Sequence, residues 1–188
     1  MQTSDLKIVN YPHPALRVKC QPVTNIDKDL RLTAGKMLDL MHEREGLGLA
    51  APQVALDAQM IVMQFLGTEE EPGPIVVAVN PVIVSTKGKL KDREGCLSFP
   101  GLYQDILRAK TVKVKYYDLD GKLQEATATD IDARLWQHEI DHLNGVLFID
   151  KMGPLARYGS RNDIAKYIQD FEEDLKDGKL PPGLEAKL

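Results

Sequence analysis

Thr129-Asp130-Ile131-Asp132-Ala133-Arg134-Leu135-Trp136-Gln137-His138-Glu139-Ile140-Asp141-His142-Leu143-Asn144-Gly145 reads as one helix. Thr129 or Asp130 caps its start, and Gly145 stops it just beyond Asn144. Positions 138 and 142 are four apart, so they share one face, with about 6 Å between side-chain roots. Both imidazoles can then converge on one metal ion. Glu139 sits beside them, placed to meet a water on that ion rather than the ion itself. A shuffled chain of this composition would contain His-Glu-x-x-His about 0.005 times, so chance is a poor account of it. Two histidines packed or hydrogen-bonded on a core-facing helix remain the alternative from this stretch alone.

The third ligand decides the kind of site. Some zinc peptidases continue the motif to a further Gly and His. Gly145 matches, but the next ligand position is Phe148, which cannot bind metal. Others recruit a downstream Glu. Glu172 and Glu173 are available, but in a charged run on a separate amphipathic helix, where a solvated face is the natural reading. Upstream, Cys96 stands in Glu94-Gly95-Cys96-Leu97-Ser98, a Gly-flanked loop before Pro100 and Gly101. Cys with two His is a recognised three-ligand set that leaves a fourth position open for water.

Around this helix the sequence reads as α+β, with antiparallel strands packed around a central metal-binding helix and a C-terminal amphipathic helix. The 188 residues fit a single domain, 1–188. Residues 1–25 are punctuated by Pro12, Pro14 and Pro22 and form an extended segment. A helix follows from about Asp27, with Leu30, Ala34, Met37, Leu38 and Met41 at helical spacing. Strands are expected at 60–65, 75–79, 82–85, 111–117 and 122–129, the last two joined by an Asp120-Gly121 turn. The acidic segment GTEEEPGP (67–74) is a turn, and 146–149 a short strand. The last helix covers about 162–176 and carries Ile164, Ile168, Phe171 and Leu175 on one stripe. The tail, 179–188, is expected to fray.

Composition excludes several functions. A net charge of −4 argues against a chain built to bind nucleic acid, and no sequence-specific nucleic-acid contact is expected. Apolar runs fall far short of the roughly 20 residues that cross a bilayer, so no membrane partner is expected. The N-terminus resembles neither a secretory signal nor a transit peptide. Two cysteines, Cys20 and Cys96, do not make a disulfide framework, which fits a reducing cytoplasm. Cys20 reads as a small buried apolar residue. His13 and His42 read as solvated and without a role.

Three motifs then carry a resemblance. GLGLAAPQ at 46–53, EGCLS at 94–98 and QHEIDH at 137–142 are similar, in order and spacing, to the signature motifs of peptide deformylases. The likeness spans about Lys7 to Lys176, including Pro14-Ala15-Leu16-Arg17, and the short gap between the first two motifs resembles the compact bacterial type. It implies a metal-dependent hydrolase that removes the formyl group from the N-terminal formyl-methionine of new polypeptides, with a nascent chain as partner and transient ribosome proximity. It also implies that Cys96, His138 and His142 bind one divalent ion, Fe²⁺ in the family, with Zn²⁺ or Ni²⁺ able to substitute. Glu139 would be the general base, Gln53 and the Leu97 N–H the oxyanion hole, and Gly48 a backbone contact to substrate. Glu94 and Arg108 would pair to brace the metal loop. Leu135, near the ligand face, is a candidate for the methionine pocket. The strand edge after Gly46 can accept a peptide by strand addition. Asp141 either orients a ligand or is an ordinary exposed helix position. The competing function is a zinc peptidase that cleaves internal bonds, which leaves the EGCLS segment unexplained.

The C-terminal helix carries six acids between 162 and 178 against Lys166 and Lys176. RNA phosphates repel such a face, so the helix is expected to pack rather than to anchor a ribosome.

Overall fold

The computed structural model describes residues 6–67 and 71–188. Part of the expected acidic turn, 68–70, lies outside the described residues. Helix α1 spans Lys28–Glu43, capped by the Asp27 carboxylate, which accepts from the Leu30 N–H. Strands β1 (Gly48–Ala50), β2 (Met60–Gln64) and β3 (Ile75–Lys87) follow. Next come β4 (Leu90–Cys96), β5 (Phe99–Arg108), β6 (Thr111–Tyr117) and β7 (Leu123–Thr129). The central helix α2 is Asp130–Leu143, and α3 (Pro154–Gly159) and α4 (Arg161–Lys176) complete the order.

The strands form two antiparallel sheets, one in the order β1-β2-β3-β6-β7 and the other the pair β4-β5. Helix α2 lies against the larger sheet through Ala133, Trp136, Ile140 and Leu143, with Trp136 fully buried against Tyr116 and Phe65. Losing such an indole costs about 3–5 kcal/mol, so the metal-bearing helix is held firmly. Gln137 adds a clamp, donating to the Ala109 carbonyl and accepting its N–H, both at 2.9 Å.

The N-terminal segment joins the parts of the site together. Val9 N–H donates to the Gln53 carbonyl, Tyr11 N–H to that of Ser98, and Cys20 N–H to that of Leu143. Tyr11 stacks on Phe99 in a cluster that also takes Ile164, Tyr167 and Ile168 from α4. The acidic C-terminal helix therefore packs on the body through its apolar stripe.

Several expectations need correction. The strands expected at 75–79 and 82–85 are one, β3. It bends at Asn80, whose φ of +51° an asparagine tolerates, and its pairing with β6 slips between Val79 and Val82. The Asn80 side chain holds the bend by bonding the N–H and carbonyl of Val23. Residues 146–149 are not a strand. Phe148–Lys151 is a 3-10 turn, because the Asp150 carboxylate accepts from the Leu147 N–H at 2.8 Å and from Arg17 at 2.5 and 3.0 Å. Thr129 stands at the N-cap of α2 but makes no side-chain cap bond; the Asp130 N–H donates to the Lys110 carbonyl instead. His13 is buried rather than solvated, its Nδ1 accepting from the Ala15 N–H. The tail does not simply fray, since the Lys187 N–H donates to the Pro12 carbonyl. Cys20 is buried, and His42 is exposed against Gln64, as read. No helix among the described residues is long and apolar enough to cross a membrane.

Candidate metal centre

The EGCLS segment is not a loop but the end of a hairpin. Glu94, Gly95 and Cys96 close β4, Leu97 and Ser98 make the turn, and Phe99 opens β5. This places the Cys96 thiol against one face of α2. Cys96 Sγ lies 3.3 Å from His142 Nε2, which lies 3.2 Å from His138 Nε2, and the three ligand atoms are all within 4.8 Å of one another. For bonds of about 2.1 Å to nitrogen and 2.3 Å to sulfur, tetrahedral edges are roughly 3.3–3.6 Å. The donor set thus fits one divalent ion. Phe148 packs beside His138, ring centroids 6.3 Å apart, but has no donor atom, and Glu172 and Glu173 are exposed on α4, so neither alternative supplies a third ligand.

The tautomer of His138 is set by Glu94. Its Nδ1–H donates to Glu94 Oε1 at 2.7 Å, which turns the Nε2 lone pair toward Cys96 and His142. Glu94 is itself buried and receives Arg108 twice, at 2.7 and 2.5 Å, and Arg134 at 2.7 Å. Burial alone would raise its pKa, but the bonds from Arg108 and His138 prevail and hold the carboxyl well below the usual carboxylate range. Asp141 does not touch a ligand. It accepts from Arg108 at 2.6 Å and pairs with Lys151, so it steadies Glu94 through Arg108. Arg134 was not singled out from the sequence, although its place one turn before His138 is the signal that could have found it.

Glu139 stands apart from the ligand set. It is buried against Gly48, where a Cβ would lie 2.8 Å from its Cδ. Only a glycine admits the carboxylate this close to the strand. Among the described residues its buried Oε2 has no hydrogen-bond partner, and Glu139 lines the cavity. Burial pushes its carboxyl up to about 7. Gln53 has a fixed orientation. Its Oε1 accepts from the Ala50 N–H at 2.8 Å, so the Nε2 donors face Cys96 Sγ, at 3.4 Å, and Ser98 Oγ, at 3.3 Å.

Cys96, His138, Glu139 and Gln53 line a cavity of about 560 Å³ together with Gly48, Leu97 and Leu135. Arg44, Arg93, Tyr103 and Ile131 also line it, and the sequence reading had not picked them out. Strand β1 is the end strand of its sheet. The Leu47 carbonyl accepts from Gln64 on the β2 side. Backbone groups alternate along a strand, so those of Gly48 face the cavity.

The polypeptide deformylase family model matches residues 5–158. The chain belongs to the polypeptide deformylase family. A peptide deformylase of Rhodopirellula baltica is 41% identical over 169 residues, covering 90% of this chain and 82% of that protein. Among solved structures, a Plasmodium falciparum peptide deformylase shares 41% identity at a TM-score of 0.83, covering 89% of this chain and 98% of its own. Arabidopsis thaliana peptide deformylase 1B, solved with an inhibitor, superposes at 0.86 with 35% identity, over 96% and 97% of the two chains. Family members are metal-dependent hydrolases, and the Cys96, His138 and His142 cluster supplies a matching metal site.

Proposed function

We propose that this protein removes the formyl group from the N-terminal formyl-methionine of newly made polypeptides, releasing formate. The observation that carries this is a Cys-His-His cluster beside a buried glutamate whose Oε2 has no hydrogen-bond partner among the described residues, in a chain of the deformylase family. The internal-bond peptidase is not favoured, because its third ligand would have to come from Phe148 or from exposed α4.

Cys96, His138 and His142 would hold one divalent ion, which would supply Lewis acidity and lower the pKa of a nearby water toward neutrality. Glu139 takes a proton from the attacking water as the water oxygen adds to the formyl carbon, then delivers that proton to the leaving nitrogen. The C–N bond breaks to give formate and a free amine. A carboxyl near pH 7 suits both transfers. Gln53 Nε2–H and the Leu97 N–H meet the developing negative oxygen, each worth about 3–4 kcal/mol in comparable sites. The Gly48 backbone aligns the substrate as an added strand. Leu135, with Ile131, offers the methionine side chain an apolar wall. Glu94, steadied by Arg108 and Arg134, keeps His138 in its ligating tautomer.

The ion is Fe²⁺ in the cell, with Zn²⁺ or Ni²⁺ able to replace it, since a thiolate with two imidazoles accepts all three. The cytoplasm is the place of action, in keeping with two free thiols. Approach to the ribosome is transient and avoids RNA contact through acidic α4. Residues 1–188 act as one domain, because the N-terminal segment and α4 share the Tyr11–Phe99 cluster. The test is formate release from formyl-Met-Ala-Ser beside acetyl-Met-Ala-Ser and an internal-bond peptide. Turnover of the formyl peptide alone is expected; equal turnover of the acetyl peptide would overturn the reading.

A further inference from the structure

The reacting end of the cavity is bounded by Gly48 and Glu139 on one wall and by Cys96 on the other. Beyond Gly48 the β1 edge is closed, since Leu49 and Ala50 are fully buried. A peptide lying on this edge therefore leaves in the other direction, past Leu47 and Gly46 to Arg44. On the opposite wall β4 leads away from Cys96 through Gly95 and Glu94 to Arg93. Both walls bring the departing chain to an arginine.

Arg93 is the better prepared of the two. Its guanidinium carbon lies 4.7 Å from the centroid of the Tyr103 ring, and that ring packs over Gly95, where a Cβ would be 2.6 Å from Tyr103 Cδ1. Stacking engages one face of the guanidinium and leaves its N–H edges available for a carboxylate. Nearby acids are engaged elsewhere. Asp105, the cross-strand partner of Arg93, pairs with Lys91 at 3.6 Å, and Asp92 accepts the Arg93 backbone N–H. Glu94 is committed to Arg108, Arg134 and His138. Glu139 sits at the reacting end, and Glu45, which lines the cavity next to Arg44 in the chain, offsets the charge of Arg44 and leaves Arg93 as the uncompensated cation of this end. Among the described residues neither Arg93 nor Arg44 has an ion pair.

Resting on the deformylase reading, we propose that Arg93, with Tyr103 as its platform, is a specificity-determining residue that favours substrates with an acidic third residue. With the first residue beside Gly95, a chain advancing about 3.3 Å per residue reaches Arg93 two residues later.

The test compares formyl-Met-Ala-Xaa-Ser-Ala peptides with Glu, Gln or Lys as Xaa, by formate release with the metal-loaded wild type, Arg93→Gln and Arg93→Glu. Wild type should prefer Glu over Lys in kcat/KM by about fivefold, as expected for a partly exposed charge contact. Arg93→Gln should narrow the ratio, and Arg93→Glu should reverse it. Ratios within one variant are insensitive to how much of it is folded. Moving the charged residue to the fifth position, or raising salt from about 0.05 to 0.5 M, should erase the preference. Equal rates for the three peptides in wild type, or an unchanged ratio in Arg93→Glu, would overturn the proposal and leave deformylation standing. Absence of formate from every peptide would overturn both.

Discussion

Gly48→Ala tests the placement of the general base without altering any polar group. A Cβ at position 48 would lie 2.8 Å from Glu139 Cδ and 2.9 Å from its Cγ. Carbon atoms pack comfortably at about 3.5–4.0 Å, so the glutamate must retreat by roughly 1 Å. It has little freedom to do so, being almost fully buried on a helix anchored by Trp136 and Gln137. A misplacement of about 1 Å can cost on the order of 100-fold in rate, or about 2.7 kcal/mol at the transition state. The crowding should cost about 1–3 kcal/mol of stability, leaving a folded protein at 25 °C. The assay is kcat/KM for formate release, read beside Tm and metal content. Gly153→Ala is the control, because a Cβ there meets nothing within 4 Å. Gly48→Ala retaining activity within threefold of wild type would refute the claim that this close approach positions Glu139.

Cys96→Ala should lose its ion on dialysis, which elemental analysis reads; unchanged stoichiometry would exclude the thiol as a ligand. Glu94→Gln strips the charge that two buried arginines face, and should cost about 3–5 kcal/mol, lowering Tm by roughly 10 °C. Because the folded carboxyls of Glu94 and Asp150 are held below their ordinary values, their contribution is complete above about pH 4.5 and is lost as pH falls further. Thermal scans from pH 7 to 3 should show that decline, with a shallower slope in Glu94→Gln; equal slopes would remove Glu94 from the account. Protein purified in air should hold mostly Zn²⁺ or Ni²⁺, and anaerobic Fe²⁺ loading should raise kcat and add oxygen sensitivity. Equal, air-stable activity with Fe²⁺ and Zn²⁺ would defeat the iron proposal alone.

The helix that carries His138, Glu139 and His142 was readable because its periodicity and end signals are local. The third ligand was legible only as a candidate, since Cys96 is brought to α2 by a hairpin that looks unlike one in sequence. Strand β4 is largely charged, and β5 opens with Phe99-Pro100-Gly101, which reads as a break. Resemblance supplied what periodicity could not. The merged strand β3 was hidden by Asn80-Pro81, where a side chain bonded to a distant segment stabilises a bend that local propensity treats as an end. Helix α3 was missed because six residues are too few to show a period. Asp141 was weighed as a ligand's support, yet its partner is Arg108, and only the fold brings β5 to α2. The roles of Arg134, Arg93 and Tyr103 likewise depend on neighbours distant in sequence.

The central claim is that Glu139 moves protons beside an ion it does not bind. The most direct measurement is Glu139→Ala, with metal content and formate release from formyl-Met-Ala-Ser determined on the same sample. The account predicts about one ion per chain, as in wild type, with turnover reduced by about 1000-fold or more. More than about a tenth of wild-type kcat would contradict it, as would loss of the ion.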